Sequence, residues 1–207
     1  MNGFEKRAQE KKKQILKAAF ELMNTDGGTA NLTMEKVAEQ SHVSKATIFK
    51  YFGNKESLIY EVFFGFIDEI GQSAREIAAE NLPFEDTLIK MSKNKISYLN
   101  RVNKQFYLDL MDYYTKKEEG RFSSVMESYL KESFEMMLDL FHRGRKEGKV
   151  DWKYSDEFLI LYFQAMVEGI SSPEIYGKLL PYTEEWTELL IKGIAPNKKG
   201  SRLVESL

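Results

Sequence analysis

The sequence predicts an all-α chain in which a small three-helix helix-turn-helix domain precedes a larger helical one. Apolar residues recur at helical spacing through most of the 207 residues, and beyond residue 80 no alternating strand pattern of useful length occurs. Residues 33–52 add a third observation, two short helical patterns either side of a three-residue break.

The first helix is marked by Ile15, Leu16, Ala19, Phe20, Leu22 and Met23, and Asp26-Gly27-Gly28 ends it. Ahead of the apolar set stand Lys6, Arg7, Lys11, Lys12 and Lys13. Five cations close to a helix N-terminus oppose the macrodipole, at roughly 0.3–1 kcal/mol each. A phosphate backbone nearby would offset that cost; a solvated basic arm is the equal alternative.

The block that follows has the layout of a DNA reader. Thr33 is placed to cap a helix that turns Val37 and Ala38 inward, Ser41-His42-Val43 makes the turn, and Ser44 caps a second helix that buries Ile48. Ala38 is small where the two helices cross, and Val43 and Ile48 close the core beneath the bend. His42 stands where the turn calls for a left-handed residue, a conformation His tolerates better than most non-glycine residues. Lys45, Ala46 and Thr47 fill the first turn of the second helix, the part of a recognition helix that approaches base edges in the major groove.

Residues 33–55, with the preceding helix and the run Val43-Ser-Lys-Ala-Thr-Ile-Phe-Lys-Tyr-Phe-Gly-Asn-Lys-Glu-Ser-Leu58, closely resemble the N-terminal domain of TetR-type (TetR/AcrR) bacterial transcriptional regulators. The resemblance covers about the first third of the chain; the remainder shares the family's length and all-helical texture. It implies DNA contacts at Thr33, Ser44, Lys45, Ala46, Thr47, Phe49, Lys50, Tyr51 and Lys55, with Lys55 on a phosphate beside a helix N-terminus. The family commonly has Gly where this chain has Ala46 and Tyr where it has Phe49. Without that hydroxyl, Phe49 keeps an apolar contact, for instance with a thymine methyl.

After the motif, Gly53 breaks the second helix, and Asn54-Lys55-Glu56 opens another carrying Leu58, Ile59, Val62, Phe63, Phe66, Ile67 and Ile70. Pro83 opens the next, with Leu88, Ile89, Met91, Ile96, Tyr98 and Leu99 as its apolar positions. A short aromatic helix over 106–114, a polar connector over 116–120 and a long helix over 122–147 follow, ended by Gly148. Trp152 to Asp156 leads into another helix, Ser171-Ser-Pro173 interrupts, and Pro181 precedes a last one. The expected domains are therefore 1–55 for the reader and 56–196 for an effector-binding and dimerisation domain, with a polar tail over 197–207.

The segment from Phe158 to Phe163, continued by Ala165, Met166, Val167 and Ile170, is apolar around its whole helical circumference, so it needs cover on every side. A second subunit supplies that cover most simply. The expected two-fold interface uses Leu159, Tyr162, Phe163, Met166, Trp186, Leu189 and Leu190, and the alternative is the central helix of a monomeric bundle. TetR-type proteins hold small effectors between their helices, which here implies a pocket lined by Tyr98, Phe106, Tyr107, Met111, Tyr114, Phe134 and Met137; each is also an ordinary core residue.

Composition bounds the chemistry. There are no cysteines and only two histidines, His42 and His142, which excludes disulfides, thiolate metal sites and a His–Cys dyad. His142, near a helix end, is expected to meet the last carbonyls. No catalytic residue, metal or cofactor is expected. No apolar run approaches the roughly 18 residues that span a membrane, and the charged start lacks a signal-peptide core, so a cytoplasmic protein is expected. Residues 1–60 carry ten Lys or Arg against seven Asp or Glu, while the remainder is net acidic, which makes the reader the basic end. The functional expectation is a homodimeric regulator, a repressor released from a palindromic DNA operator by a small-molecule effector. The alternative is a helical carrier or enzyme that keeps the motif as a relic.

Overall fold

A computed structural model of the chain describes residues 3–115 and 121–197. Tyr114's side chain, the 116–120 connector and the tail from residue 198 lie outside what it describes. The described residues form ten α-helices and two short 3-10 turns: α1 (Gly3–Met23), a turn at Gly28–Asn31, α2 (Met34–Ser41), α3 (Lys45–Phe52), α4 (Lys55–Ala79), α5 (Phe84–Leu99), α6 (Lys104–Thr115), α7 (Arg121–Lys146), α8 (Asp156–Ser171), α9 (Pro173–Leu179), a turn at Leu180–Tyr182, and α10 (Thr183–Ile194). The all-α expectation holds for them. Helix α1 begins at Gly3, which limits the dipole argument to Lys6 and Arg7: Lys11, Lys12 and Lys13 lie beyond the first two turns, where the macrodipole no longer acts.

Two compact units divide the chain, Met1–Ile70 with Tyr98–Ser123 and Gly71–Ser97 with Ser124–Leu207. The expected boundary at residue 55 coincides with the start of α4, whereas the compact units divide inside that helix, after Ile70. In the first unit Ile15, Ala19 and Met23 of α1 share the core with Val37, Ile48, Leu58, Phe63 and Phe66. Phe106 of α6 is fully buried and meets Phe20, Phe63 and Phe66 edge-on at ring-centroid distances of 5.2, 5.2 and 5.4 Å. Such pairs each add about 0.5–1.5 kcal/mol beyond the burial of their area. This cluster draws α6 into the same unit as the reader although some fifty residues of chain separate them.

The second unit is built round Phe84, Leu88, Met137, Leu140, Phe141, Val150, Leu159 and Ile194. Gly144 allows α7 to pass close to Phe84 and Val150; a Cβ there would fall 2.8 Å from the ring and 2.7 Å from the valine methyl. Helix α5 takes its cap from a distance, since the Glu147 carboxylate accepts from the Phe84 backbone N–H at 2.8 Å. Helix α8 is capped locally, with Ser155 Oγ accepting from Phe158 N–H at 3.1 Å. His142 does not serve the α7 carbonyls as expected: its Nε2 lies 2.8 Å from Asp156 Oδ2, a carboxylate also bound by Arg145.

Candidate nucleic-acid interface

Local chemistry explains how the reader is assembled. Thr33 has an extended backbone and its hydroxyl accepts from Lys36 N–H at 3.2 Å, which starts α2. His42 ends that helix in the left-handed region, at φ 55 and ψ 31, as the sequence required. Ser44 then starts α3, its Oγ accepting from Thr47 N–H at 3.3 Å and lying 2.9 Å from the Thr47 hydroxyl. Val43 and Ile48 are buried beneath the bend. Gly53 closes α3 at φ 78, and its N–H donates to Phe49 O at 2.8 Å. The Asn54 side chain caps α4 by accepting from Ser57 N–H at 2.7 Å.

With Ile48 turned inward, the opposite face of α3 shows Lys45, Ala46, Phe49 and Lys50 to solvent. Phe49 is 45% exposed, an apolar ring on an otherwise polar and basic face. Thr47 is half-buried, as are Tyr51, Thr33 and Lys55 at their helix ends, and Ser44 is exposed. Eight of the nine expected DNA-contact residues therefore lie on the caps of α2 and α3 or on α3 itself, and Lys55 begins the next helix.

Two contacts here had no local signal in the sequence. Lys12 Nζ sits 5.6 Å from the Tyr51 ring centre, so α1 delivers one of its cations to the side of the recognition helix. Glu35, in the first turn of α2, forms an ion pair with Lys45. That hydrogen bond, before any other cause, holds the Glu35 carboxyl below its usual range. Lys45 is thus not a free cation; a phosphate would have to compete with Glu35 for it.

The residues of the expected effector lining are divided between the two compact units. Tyr98, Phe106, Tyr107 and Met111 belong to the first compact unit, while Phe134 and Met137 belong to the second. Phe106, Tyr107 and Met137 are buried. Phe134 lines a shallow groove of about 370 Å³ with Leu130, Lys131, Glu135, Leu138 and Ile160. Among the expected interface residues, Leu159 and Leu190 are buried within the single chain. Tyr162 and Phe163 are half-buried against that core, Met166 and Trp186 are half-buried, and Leu189 is exposed. Phe158 and Leu161 of α8 add large exposed apolar side chains beside them in sequence.

A capped helix, a left-handed turn and a second capped helix with a basic outer face define a helix-turn-helix protein. Residues 15–62 match the family described as bacterial regulatory proteins of the tetR family. Over these residues the chain is similar to the DNA-binding domain of the TetR family. YhgD of Bacillus subtilis, an uncharacterised HTH-type transcriptional regulator, is 38% identical over 79 residues, which are 38% of this chain and 41% of that protein. YdeS of the same organism is 37% identical over 75 residues, 36% of this chain and 32% of its own length. The similarity thus spans less than half of either relative.

Solved structures extend the likeness of fold over most of the chain. A TetR transcription regulator from Haloarcula marismortui superimposes with a TM-score of 0.74 at 14% identity, covering 91% of this chain and 100% of that one. The regulator FadR of Bacillus subtilis, in complex with stearoyl-CoA, gives 0.68 at 18% identity over 88% of this chain and 98% of its own. Among the described residues no helix is long and apolar enough to cross a membrane.

Proposed function

We propose that the chain is a homodimeric, ligand-responsive repressor that leaves a palindromic DNA operator when a small-molecule effector binds. The observation that carries this reading is the outward face of α3, where Lys45, Ala46, Phe49 and Lys50 surround no core and Ile48 alone anchors the helix. Residues 1–55 act as the reader, and 56–196 as the effector-binding and dimerisation part. The exposed Phe158, Leu161 and Leu189 support self-association, because large exposed apolar side chains mark contact surfaces. Two readers on a two-fold axis double the base contacts that one small domain can make. Effector binding would favour a spacing of the two readers that no longer matches one turn of DNA. The stearoyl-CoA of FadR makes an acyl-CoA the first effector to try. The reading assigns no catalysis, cofactor or membrane, and places the protein in the cytoplasm.

Selection of bound sites from a random DNA pool tests the reading. The expected result is a two-fold symmetric sequence bound in a salt-sensitive manner; weak, sequence-blind binding would overturn it and leave a helical carrier or enzyme. Lys55→Ala should weaken binding to all sequences and reduce the slope of log affinity against log salt by about one unit, as the loss of one phosphate contact requires.

A further inference from the structure

The connector between α1 and α2 lacks a cap of its own. Its 3-10 turn, Gly28–Asn31, has Gly27 at the N-cap with no side chain to cap it; Gly28 N–H donates to Thr25 O at 3.0 Å and Ala30 N–H to Gly27 O at 3.2 Å, which leaves the Thr29 N–H between them to take an acceptor from elsewhere. Helix α6 provides it. Asp109 Oδ2 accepts from the Thr29 backbone N–H at 2.6 Å and from the Thr29 hydroxyl at 2.9 Å, and Asp109 Oδ1 accepts from Gln105 Nε2 at 2.7 Å. Gly28 makes room for this carboxylate. It holds φ +52, and a Cβ there would fall 2.2 Å from Asp109 Oδ2 and 2.7 Å from Gln105 Cγ.

A second set of bonds fixes the start of the same connector. Asn24 Nδ2 donates to Arg101 O at 3.0 Å, Asn24 Oδ1 accepts from Asn103 N–H at 2.5 Å, and Asn103 Nδ2 donates to Asp26 Oδ1 at 2.8 Å. Residues 24–29 are therefore gripped at both ends by residues 101–109 of the same compact unit. The connector sets the direction in which α2 leaves α1, and α2 carries α3 through the single turn at His42. A small rotation at Thr29 would re-aim the recognition helix, and a charged acceptor on two donors resists such a rotation better than a neutral one.

We propose that Asp109 is a positioning residue for DNA reading: from α6 its carboxylate caps the α1–α2 connector and fixes the aim of α3 without touching DNA. The proposal rests on the regulator reading above. By linkage, a displacement of α6 that loosens the cap lowers operator affinity, and operator binding in turn holds α6 in place.

The test compares the full chain with Asp109→Ala, Asp109→Asn and Thr29→Val. Asp109→Ala should bind the selected operator about tenfold more weakly, with Asp109→Asn between it and the parent. Random-sequence DNA should be bound with unchanged affinity and unchanged salt slope, because no phosphate contact is lost. The Thr29 amide should exchange faster in both Asp109 variants. Unchanged operator affinity in Asp109→Ala, equal losses on operator and random DNA, or unchanged Thr29 exchange would each overturn the proposal. Should Asp109→Ala fail to fold, Thr29→Val, which deletes one bond of the cap, must still show the selective operator loss. A parent chain without sequence preference would overturn the regulator reading itself, and Thr29 exchange would then still report whether the cap exists in solution.

Discussion

The reader and the helical body present different surfaces. On the reader, α3 shows two lysines, an alanine and one partly exposed phenylalanine around a single buried isoleucine. On the body, Phe158, Leu161 and Leu189 stand largely exposed, and Tyr154, Phe158 and Tyr162 stack along α8 with centroids 5.4 and 6.2 Å apart. The first surface suits a polar anion partner, and the second suits another apolar surface. One chain thus exposes a basic face and an apolar one. The core of its own unit covers α8 in part, through Leu159 with Ile160, Tyr162 and Phe163 packed beside it, while Phe158 and Leu161 stay exposed.

The largest test of this contrast concerns the cores beneath the two surfaces. Phe106→Ala in the first unit and Phe141→Ala in the second should each cost about 3–5 kcal/mol, since both rings are fully buried. Calorimetry that shows the two losses in separate transitions would establish that the units melt independently; a single shared transition would show that they do not.

Placing Leu161→Glu and Leu189→Glu together should come next in effect. Both positions are exposed in the single chain, so the folded protomer should lose little, while burial of two carboxylates in an apolar contact would cost several kcal/mol. Sedimentation should show a monomer. A dimer that survives both charges would move the interface away from α8 and α10.

A smaller effect is expected on the reader. The Thr47 hydroxyl lies against Ser44 Oγ, so Thr47→Ala should shift preference among operators by about 1–3 kcal/mol at one base pair if that hydroxyl reads a base. Selection on random DNA would detect the shift; a uniform loss on every sequence would instead assign Thr47 to helix capping.

The smallest effect lies in the body and depends on pH. Hydrogen bonds from His142 and then Arg145 hold the Asp156 carboxyl below its ordinary value. The carboxylate therefore contributes stability above the unfolded value, near pH 4, and loses it as pH falls through the depressed folded one. Urea midpoints should decline on acidification below about pH 4 in the parent and decline less in Asp156→Asn. The side chain is 45% exposed, which keeps the difference small.

The reader was almost wholly legible from residues 33–58, because its geometry is set by bonds three or four residues long. The Thr33 and Ser44 caps, the left-handed His42 and the buried Val43 and Ile48 all follow from residue type and spacing. Which unit an apolar residue joins was not legible: Phe106 and Met137 look alike as sequence, yet each is buried in a different unit. An apolar side chain reports that it will leave water and does not report which surface it will meet.

By itself the sequence determined most of the helices, the local caps at Thr33 and Ser44, the stop at Gly53 and the class of the reader, since hydrogen bonding and helical periodicity act within a few residues. Only the tertiary structure decided which apolar residues are core, that Glu35 holds Lys45, that Lys12 reaches Tyr51, and that Asp109 caps a turn eighty residues earlier in the chain. Those contacts depend on the packing of separate helices, and no local pattern encodes which helix will lie alongside.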